Sequence, residues 1–268
     1  MTLSSPIERP LSVLVVEDDE TNRLVVVGML EYLGHWVTEA SSGTEAVAQF
    51  KRLNRHPDPQ GREFDVVLMD IHLPDVGGLE VARQIRLMSG GEQTRLSILA
   101  MTANVQPENL ASYLAGGMDG VVAKPIVLEW LDAKLRAVIG PGPDPGPGPD
   151  PDTGEGETVL DRLALDHMRS RLGPEWIVRI LDTGRNSVED GLAAMVAAWQ
   201  TNDADRLTAA AHRLKGAAGA LGLKGLYRLA TTIERRVRAD DRESVAELVI
   251  RAQDLARRSL VALSDWTG

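Results

Sequence analysis

The chain has 268 residues, 43% hydrophobic and 25% charged, with a net charge of −10 and no cysteine. That length accommodates two domains of ordinary size, each with its own core. The missing cysteines exclude disulfides and thiolate metal sites, and the acidic balance, with a pI near 5.1, argues against a nucleic-acid-binding surface.

No apolar run approaches about 18 residues, and the N-terminus lacks the apolar centre of a signal peptide. The expectation is a cytoplasmic location with no direct membrane insertion. Residues 1–10 read as a loosely attached lead. Residues 11–16 are apolar and β-branched, a buried strand that runs into Glu17-Asp18-Asp19. Apolar positions from Leu24 to Leu33 suit a helix over 21–33, and 35–38 reads as a short strand. A helix is expected over 43–53 and a loop over 54–63. The run Val66-Val67-Leu68-Met69 then ends in Asp70, with a proline turn behind it. Gly77-Gly78 opens a helix to about residue 88, 96–101 is a strand, and Pro107 starts a helix to about 114. Val121-Val122 is a last short strand, ended by Lys124-Pro125, and 127–138 is the final helix. Five strands alternating with five helices predict a doubly wound α/β domain with a parallel sheet covered on both faces.

In such a sheet the carboxyl ends of the strands share one edge, where ligands gather. That edge would carry Glu17, Asp18, Asp70, Thr102 and Lys124. Carboxylates crowded together repel one another, and a hard divalent ion with oxygen ligands, Mg²⁺ or Mn²⁺, resolves the repulsion. A lysine and a hydroxyl beside the metal would complete a cage for phosphoryl oxygens, with Asp70 as nucleophile. Taken singly, each residue has a plainer reading. Asp70 can be a turn residue, the acidic run a helix N-terminus favoured by the dipole, and Lys124 a surface lysine.

LVVEDDE at 14–20, VVLMDIHLP at 66–74, LAMTA at 99–103 and VVAKP at 121–125 resemble the marks of the response-regulator receiver domain, over 11–139. The resemblance implies a flavodoxin-like fold in which Asp70 accepts a phosphoryl group from a phosphohistidine. Glu17, Asp18, Asp70 and the backbone carbonyl of His72 would hold Mg²⁺. Thr102 and Lys124 would contact the phosphoryl oxygens, Ala103 would leave room for them, and the Lys124-Pro125 bond would be cis. Autohydrolysis of the aspartyl phosphate is an activity that the resemblance allows. Two departures stand out: Val121 occupies a position where the family usually carries an aromatic residue, and the 54–63 loop is long.

Residues 140–157 read GPGPDPGPGPDPDTGEGE, with proline at every second position from 141 to 151. Such a segment packs no core and predicts a spacer over 140–158, part extended and part flexible. The 18 residues 140–157 would span about 55 Å if extended. Beyond it, leucines and alanines at spacings of three and four predict an antiparallel helical bundle. The helices are expected over 159–168, 174–199, 204–221, 223–238 and 243–263, and Gly184 in the long second one allows a bend or break there.

The helix AAAHRLKGAAGALG at 209–222 has a core stripe through Leu207, Ala211, Leu214, Ala218 and Leu221. His212 lies about 100° from Ala211, so it should face solvent or a partner, with Thr208, Lys215, Gly216 and Gly219 on the same side. That layout gives a nucleophilic imidazole room and positive charge. The plainer readings are a surface histidine, and glycines kept for tight helix packing. The segment resembles the histidine-containing phosphotransfer (HPt) domain, over 159–265, on His212-Arg213-Leu214-Lys215-Gly216 with Gly219 and Gly222. The resemblance implies His212 as phosphoacceptor, with Lys215 assisting electrostatically.

Joined in this order, the two resemble the C-terminal part of unorthodox hybrid sensor kinases and imply a phosphorelay intermediate. Its expected partners are a sensor histidine kinase and a downstream response regulator. A phosphate sink or reverse-transfer phosphatase route for a partner regulator, and a phosphorylation-independent interaction module, are the alternatives. The chain contains no GxxxxGK[ST] loop and no glycine-rich ATP lid, so ATP use by the chain itself is not expected.

Overall fold

The computed structural model describes residues 9–55, 63–90, 96–103, 105–140, 143–146, 148 and 159–267. Most of the 54–63 loop therefore lies outside the described residues. Two compact units divide the chain, with the main boundary between residues 150 and 151.

The first unit contains five strands: β1 (Ser12–Val16), β2 (Trp36–Ala40), β3 (Val66–Asp70), β4 (Ser97–Thr102) and β5 (Gly120–Ala123). All pair in parallel, in the order β2-β1-β3-β4-β5, so β3 is central. Every residue of β3, β4 and β5 is buried, as expected of apolar strands covered on both faces. The connections are α1 (Glu20–Tyr32), α2 (Gly43–Arg55), α3 (Gly78–Met88), α4 (Pro107–Ala115) and α5 (Leu128–Ile139). β2 starts one residue later than the sequence suggests, because His35 turns inward. Its ring is only 6% exposed, and its Nδ1 accepts the Leu11 N–H at 3.3 Å.

Asp75, in the turn after β3, accepts from the Gly43 and Thr44 N–H groups at 2.9 and 2.8 Å. It thereby caps α2, and the hydrogen bonds from Thr44, set against a desolvation that works the other way, hold its carboxyl well below the usual range. Gly78 matters for a different reason. A Cβ there would lie 2.0 Å from the Asp70 carbonyl oxygen, so only glycine lets α3 begin so close to the end of β3.

Part of the proline-rich segment rests on this unit. Lys134, almost fully buried on α5, donates to Asp144 Oδ1 at 2.5 Å, and the same oxygen accepts the Gly146 N–H at 3.0 Å. A Cβ built on Gly148 would touch Ala123 and Trp130. The segment is thus pinned, rather than free, along the residues that the structure describes there.

The second unit is all helical: α6 (Arg162–Leu172), α7 (Pro174–Gln200), α8 (Ala204–Ala220), α9 (Lys224–Arg238) and α10 (Arg242–Thr267). α7 packs on α8, α8 on α9, α9 on α10 and α10 back on α7, a four-helix arrangement with α6 against α7. Asp161 and Asp203 cap α6 and α8, accepting from the Ala164 and Arg206 N–H groups at 3.0 Å each. α7 shows no break at Gly184 and runs as one helix for 27 residues. Gly184 serves packing instead: a Cβ there would meet the Leu221 side chain at 2.6–2.8 Å. Among the described residues no helix is long and apolar enough to cross a membrane.

Candidate functional site

Asp70 ends the central strand and is 2% exposed. Parallel register sets Val16 beside Met69 and Asp70 beside Met101, so the ends of β1, β3 and β4 are level. Glu17 follows β1, and its N–H donates to the Ala40 carbonyl at 3.0 Å, which extends the pairing past the strand. Thr102 ends β4. Its carbonyl accepts the Lys124 N–H at 2.8 Å and so fixes the backbone from which the lysine reaches inward. The Lys124-Pro125 bond is cis, as the sequence resemblance implied.

Lys124 Nζ lies 2.8 Å from Asp70 Oδ2 and 2.6 Å from Glu17 Oε2. Burial alone would lower the pKa of this ammonium. The charges and hydrogen bonds of Asp70 and Glu17 more than reverse that and hold it above the ordinary lysine value. The other carboxylate oxygen, Asp70 Oδ1, accepts the His72 N–H at 3.2 Å, which sets the carboxylate plane. Glu17, Asp18 and Asp70 each offer one oxygen within 4.8 Å of the others. Three carboxylates, two of them held by Lys124, cluster their oxygens at a partly buried point. The donors are all hard oxygens, and the set fits a divalent cation. Thr102, 1% exposed, completes the edge, and its Oγ1 lies 3.4 Å from the hydroxyl of Tyr113. The five side chains expected at one edge from sequence are at that edge.

The second unit gathers a different set. The α8 stripe through Leu207, Ala211, Leu214, Ala218 and Leu221 is buried, at 4% exposure or less. His212 is partly buried, and its Nδ1 lies 3.3 Å from Glu234 Oε1 on α9. Lys215 departs from the expected open position. It is 8% exposed, and its ammonium donates to Glu234 Oε2 at 2.7 Å. The reason is helical geometry: Lys215 is one turn from His212, but it is also four residues from Ala211 and three from Ala218. Its stem therefore borders the core stripe.

Glu234 is the functional candidate that the sequence reading missed. It is 5% exposed and takes a third hydrogen bond from Arg238 Nη2, at 2.8 Å on Oε1. Burial pushes its pKa up, but His212 and Lys215 overcome that and hold it at about 2, against an ordinary 4.5. The signal was present in α9. Leu226, Ala230 and Ile233 form its core stripe, and Glu234, four residues after Ala230, sits on that stripe in an otherwise basic stretch.

Comparison with known proteins agrees with this geometry. The family described as response regulator receiver domain matches residues 13–136, and the Hpt domain matches 179–263. The sensor histidine kinase AruS of Pseudomonas aeruginosa is 33% identical over 216 residues, 81% of this chain and 20% of that protein. The aerobic respiration control sensor protein ArcB of Escherichia coli is 28% identical over 257 residues, 96% of this chain and 32% of that protein. The sensory/regulatory protein RpfC of Xanthomonas campestris is 28% identical over 223 residues, 80% of this chain and 29% of that protein. The chain thus spans a third or less of the length of these relatives. Within that span, it joins a response regulator receiver domain to an Hpt domain.

Proposed function

We propose that the chain is a phosphorelay intermediate in which Asp70 and His212 are the two phosphoryl carriers. The observation that carries this reading is the pairing of two complementary sites on one chain. One is an acidic strand edge with a single lysine, and the other is a histidine beside a lysine and a buried carboxylate.

The first carrier works by in-line displacement. An Asp70 oxygen attacks the phosphorus of a phosphohistidine on a sensor kinase and forms a P–O bond. The P–N bond breaks, and its electron pair returns to the donor imidazole. Lys124 and the Thr102 hydroxyl donate to the phosphoryl oxygens as charge builds on them. Glu17, Asp18, Asp70 and the carbonyl of His72 would hold Mg²⁺, with Mn²⁺ as substitute, and the ion would offset the charge that carboxylates and phosphoryl share. Releasing Lys124 from Asp70 onto the phosphoryl group is a short movement, because the ammonium already lies between Asp70 and Glu17.

The second carrier is the His212 ring. Glu234 accepts a hydrogen bond from Nδ1–H, so Nε2 carries the lone pair that attacks phosphorus. The Asp70 carboxylate is regenerated as its O–P bond breaks. The phosphorylated ring keeps its Nδ1 proton and gains positive charge, which the ionised Glu234 stabilises. Lys215 adds positive charge near the phosphoryl oxygens while its own ammonium stays anchored. The same steps in reverse return the group to Asp70. The aspartate of a separate response regulator is the onward acceptor from His212.

The test is chemical. The chain is labelled from a phosphorylated kinase histidine in the presence of Mg²⁺, and the label is sorted by stability. An acyl phosphate on Asp70 is lost in alkali, whereas phosphohistidine survives alkali and is lost in acid. The reading expects both kinds of label in sequence. Label on neither residue would leave an interaction module.

A further inference from the structure

Tyr113 is the buried residue of α4, and its ring lies in the core cluster that includes Val81, Ala100, Met118 and Val121. A buried phenol hydroxyl must find a hydrogen-bond partner, because leaving it dry and unmet is costly. The partner recorded for it is Thr102, at 3.4 Å, the hydroxyl at the end of β4 beside Asp70. On β5 the neighbouring side chain is Val121, 5% exposed, which fills space and has no polar group to offer.

A threonine hydroxyl has one proton and two lone pairs. If its proton goes to a phosphoryl oxygen on Asp70, the Tyr113 hydroxyl must be the donor in their shared bond. If its proton goes to Tyr113, Thr102 meets a phosphoryl group with lone pairs, and the contact is repulsive. The direction of the tyrosine–threonine bond is therefore tied to whether Asp70 carries a phosphoryl group.

We propose that Tyr113 is a positioning residue: it donates to Thr102 so that the threonine proton points at the phosphoryl group, and it passes the state of Asp70 to α4. This rests on the reading of Asp70 as phosphoryl acceptor. The linkage is reciprocal. A phosphoryl group on Asp70 tightens the anchor of α4, and anything that holds α4 down favours the phosphorylated form.

The experiment uses the full chain with Mg²⁺ and acetyl phosphate as donor, with Tyr113→Phe, Thr102→Ala and the double variant. Phenylalanine keeps the ring and removes only the hydroxyl, and urea titration confirms that each variant folds. Tyr113→Phe is expected to slow labelling of Asp70 by about three- to tenfold, the worth of one hydrogen bond. The same substitution in the Thr102→Ala background is expected to change nothing further. Amide hydrogen exchange over 107–115 is expected to slow on phosphorylation of the wild type and not of Tyr113→Phe. Independent, multiplicative effects of the two substitutions would overturn the proposal, as would unchanged labelling with α4 still protected in Tyr113→Phe. Wild-type chain that takes no label on Asp70 would remove the acceptor reading and this inference with it. A labelled wild type with an indifferent Tyr113→Phe would remove the inference alone.

Discussion

At Asp70 two carboxylates, Asp70 and Glu17, hold one ammonium with a third, Asp18, beside them, whereas at His212 one carboxylate serves an imidazole, a lysine and an arginine. The first arrangement clusters hard oxygen donors and suits a divalent cation together with the phosphoryl group that the cation would help to hold. The second has charge to spare for an anion and needs no metal to receive one. The two sites also differ in support. Asp70 sits at the end of a strand buried on both faces, and backbone bonds from Glu17 and Lys124 lock the neighbouring strand ends. His212 and Lys215 stand on a helix, and a single side chain from the next helix orients both. One site is built into the sheet, and the other depends on Glu234.

That contrast can be broken at either end. The largest effect is expected for Lys124→Met, which leaves Glu17 and Asp70 buried without their cation. Loss of a buried partner costs about 3–5 kcal/mol. The loss should show in urea titrations with EDTA and shrink when Mg²⁺ is added. An equal loss with and without Mg²⁺ would mean that the acidic cluster does not take the ion.

Next comes the pH dependence of the helical unit. Glu234 has a folded pKa of about 2 against an ordinary 4.5, so its contribution is present above about 4.5 and is lost as pH falls toward 2. By linkage that contribution is about 3 kcal/mol. Glu234→Gln should flatten the stability curve between pH 2 and about 4.5, and at neutral pH it should slow phosphoryl transfer to His212. A curve with the wild-type slope would place the titration elsewhere.

Gly78→Ala is expected to cost about 1–3 kcal/mol, because its Cβ would collide with the Asp70 carbonyl and α3 must shift. Acceptance at Asp70 should fall with it, while phosphorylation of His212 by reverse transfer from a separate phosphorylated receiver should not. The smallest effect is expected for Asp144→Ala. Its own carboxylate is largely exposed, but the loss leaves the buried Lys134 ammonium without that partner, so the cost should be about 1–2 kcal/mol. Limited proteolysis near residue 144 should nevertheless become faster, since the pin to Lys134 is gone.

Much of this was legible in the sequence, and the parts that were not have physical reasons. Strand ends can be read because an apolar run that stops at a charged residue marks its own boundary, and parallel pairing then places Glu17, Asp70, Thr102 and Lys124 on one edge. Lys215 shares the His212 side of its helix, as its spacing implies, but its depth is not legible, because a wheel assigns faces and a long side chain can bury its stem. Glu234 and Tyr113 each act across a gap between elements. Their partners lie 22 and 11 residues away, and nothing local announces them. Gly184 allows a bend or break on sequence grounds, and only its neighbour in space, Leu221, marks it as a packing glycine.

The most direct test of the relay is a time course with a phosphorylated kinase histidine, using wild type, Asp70→Asn, His212→Gln and an equal mixture of the two variants. The account predicts acid-labile, alkali-stable label on His212 in wild type only after alkali-labile label has appeared. It predicts neither in Asp70→Asn, and alkali-labile label alone in His212→Gln. In the mixture, label reaching His212 of the Asp70→Asn chains would show transfer between chains, and none would confine it within one. Label on His212 of Asp70→Asn alone, at the wild-type rate, would contradict the account.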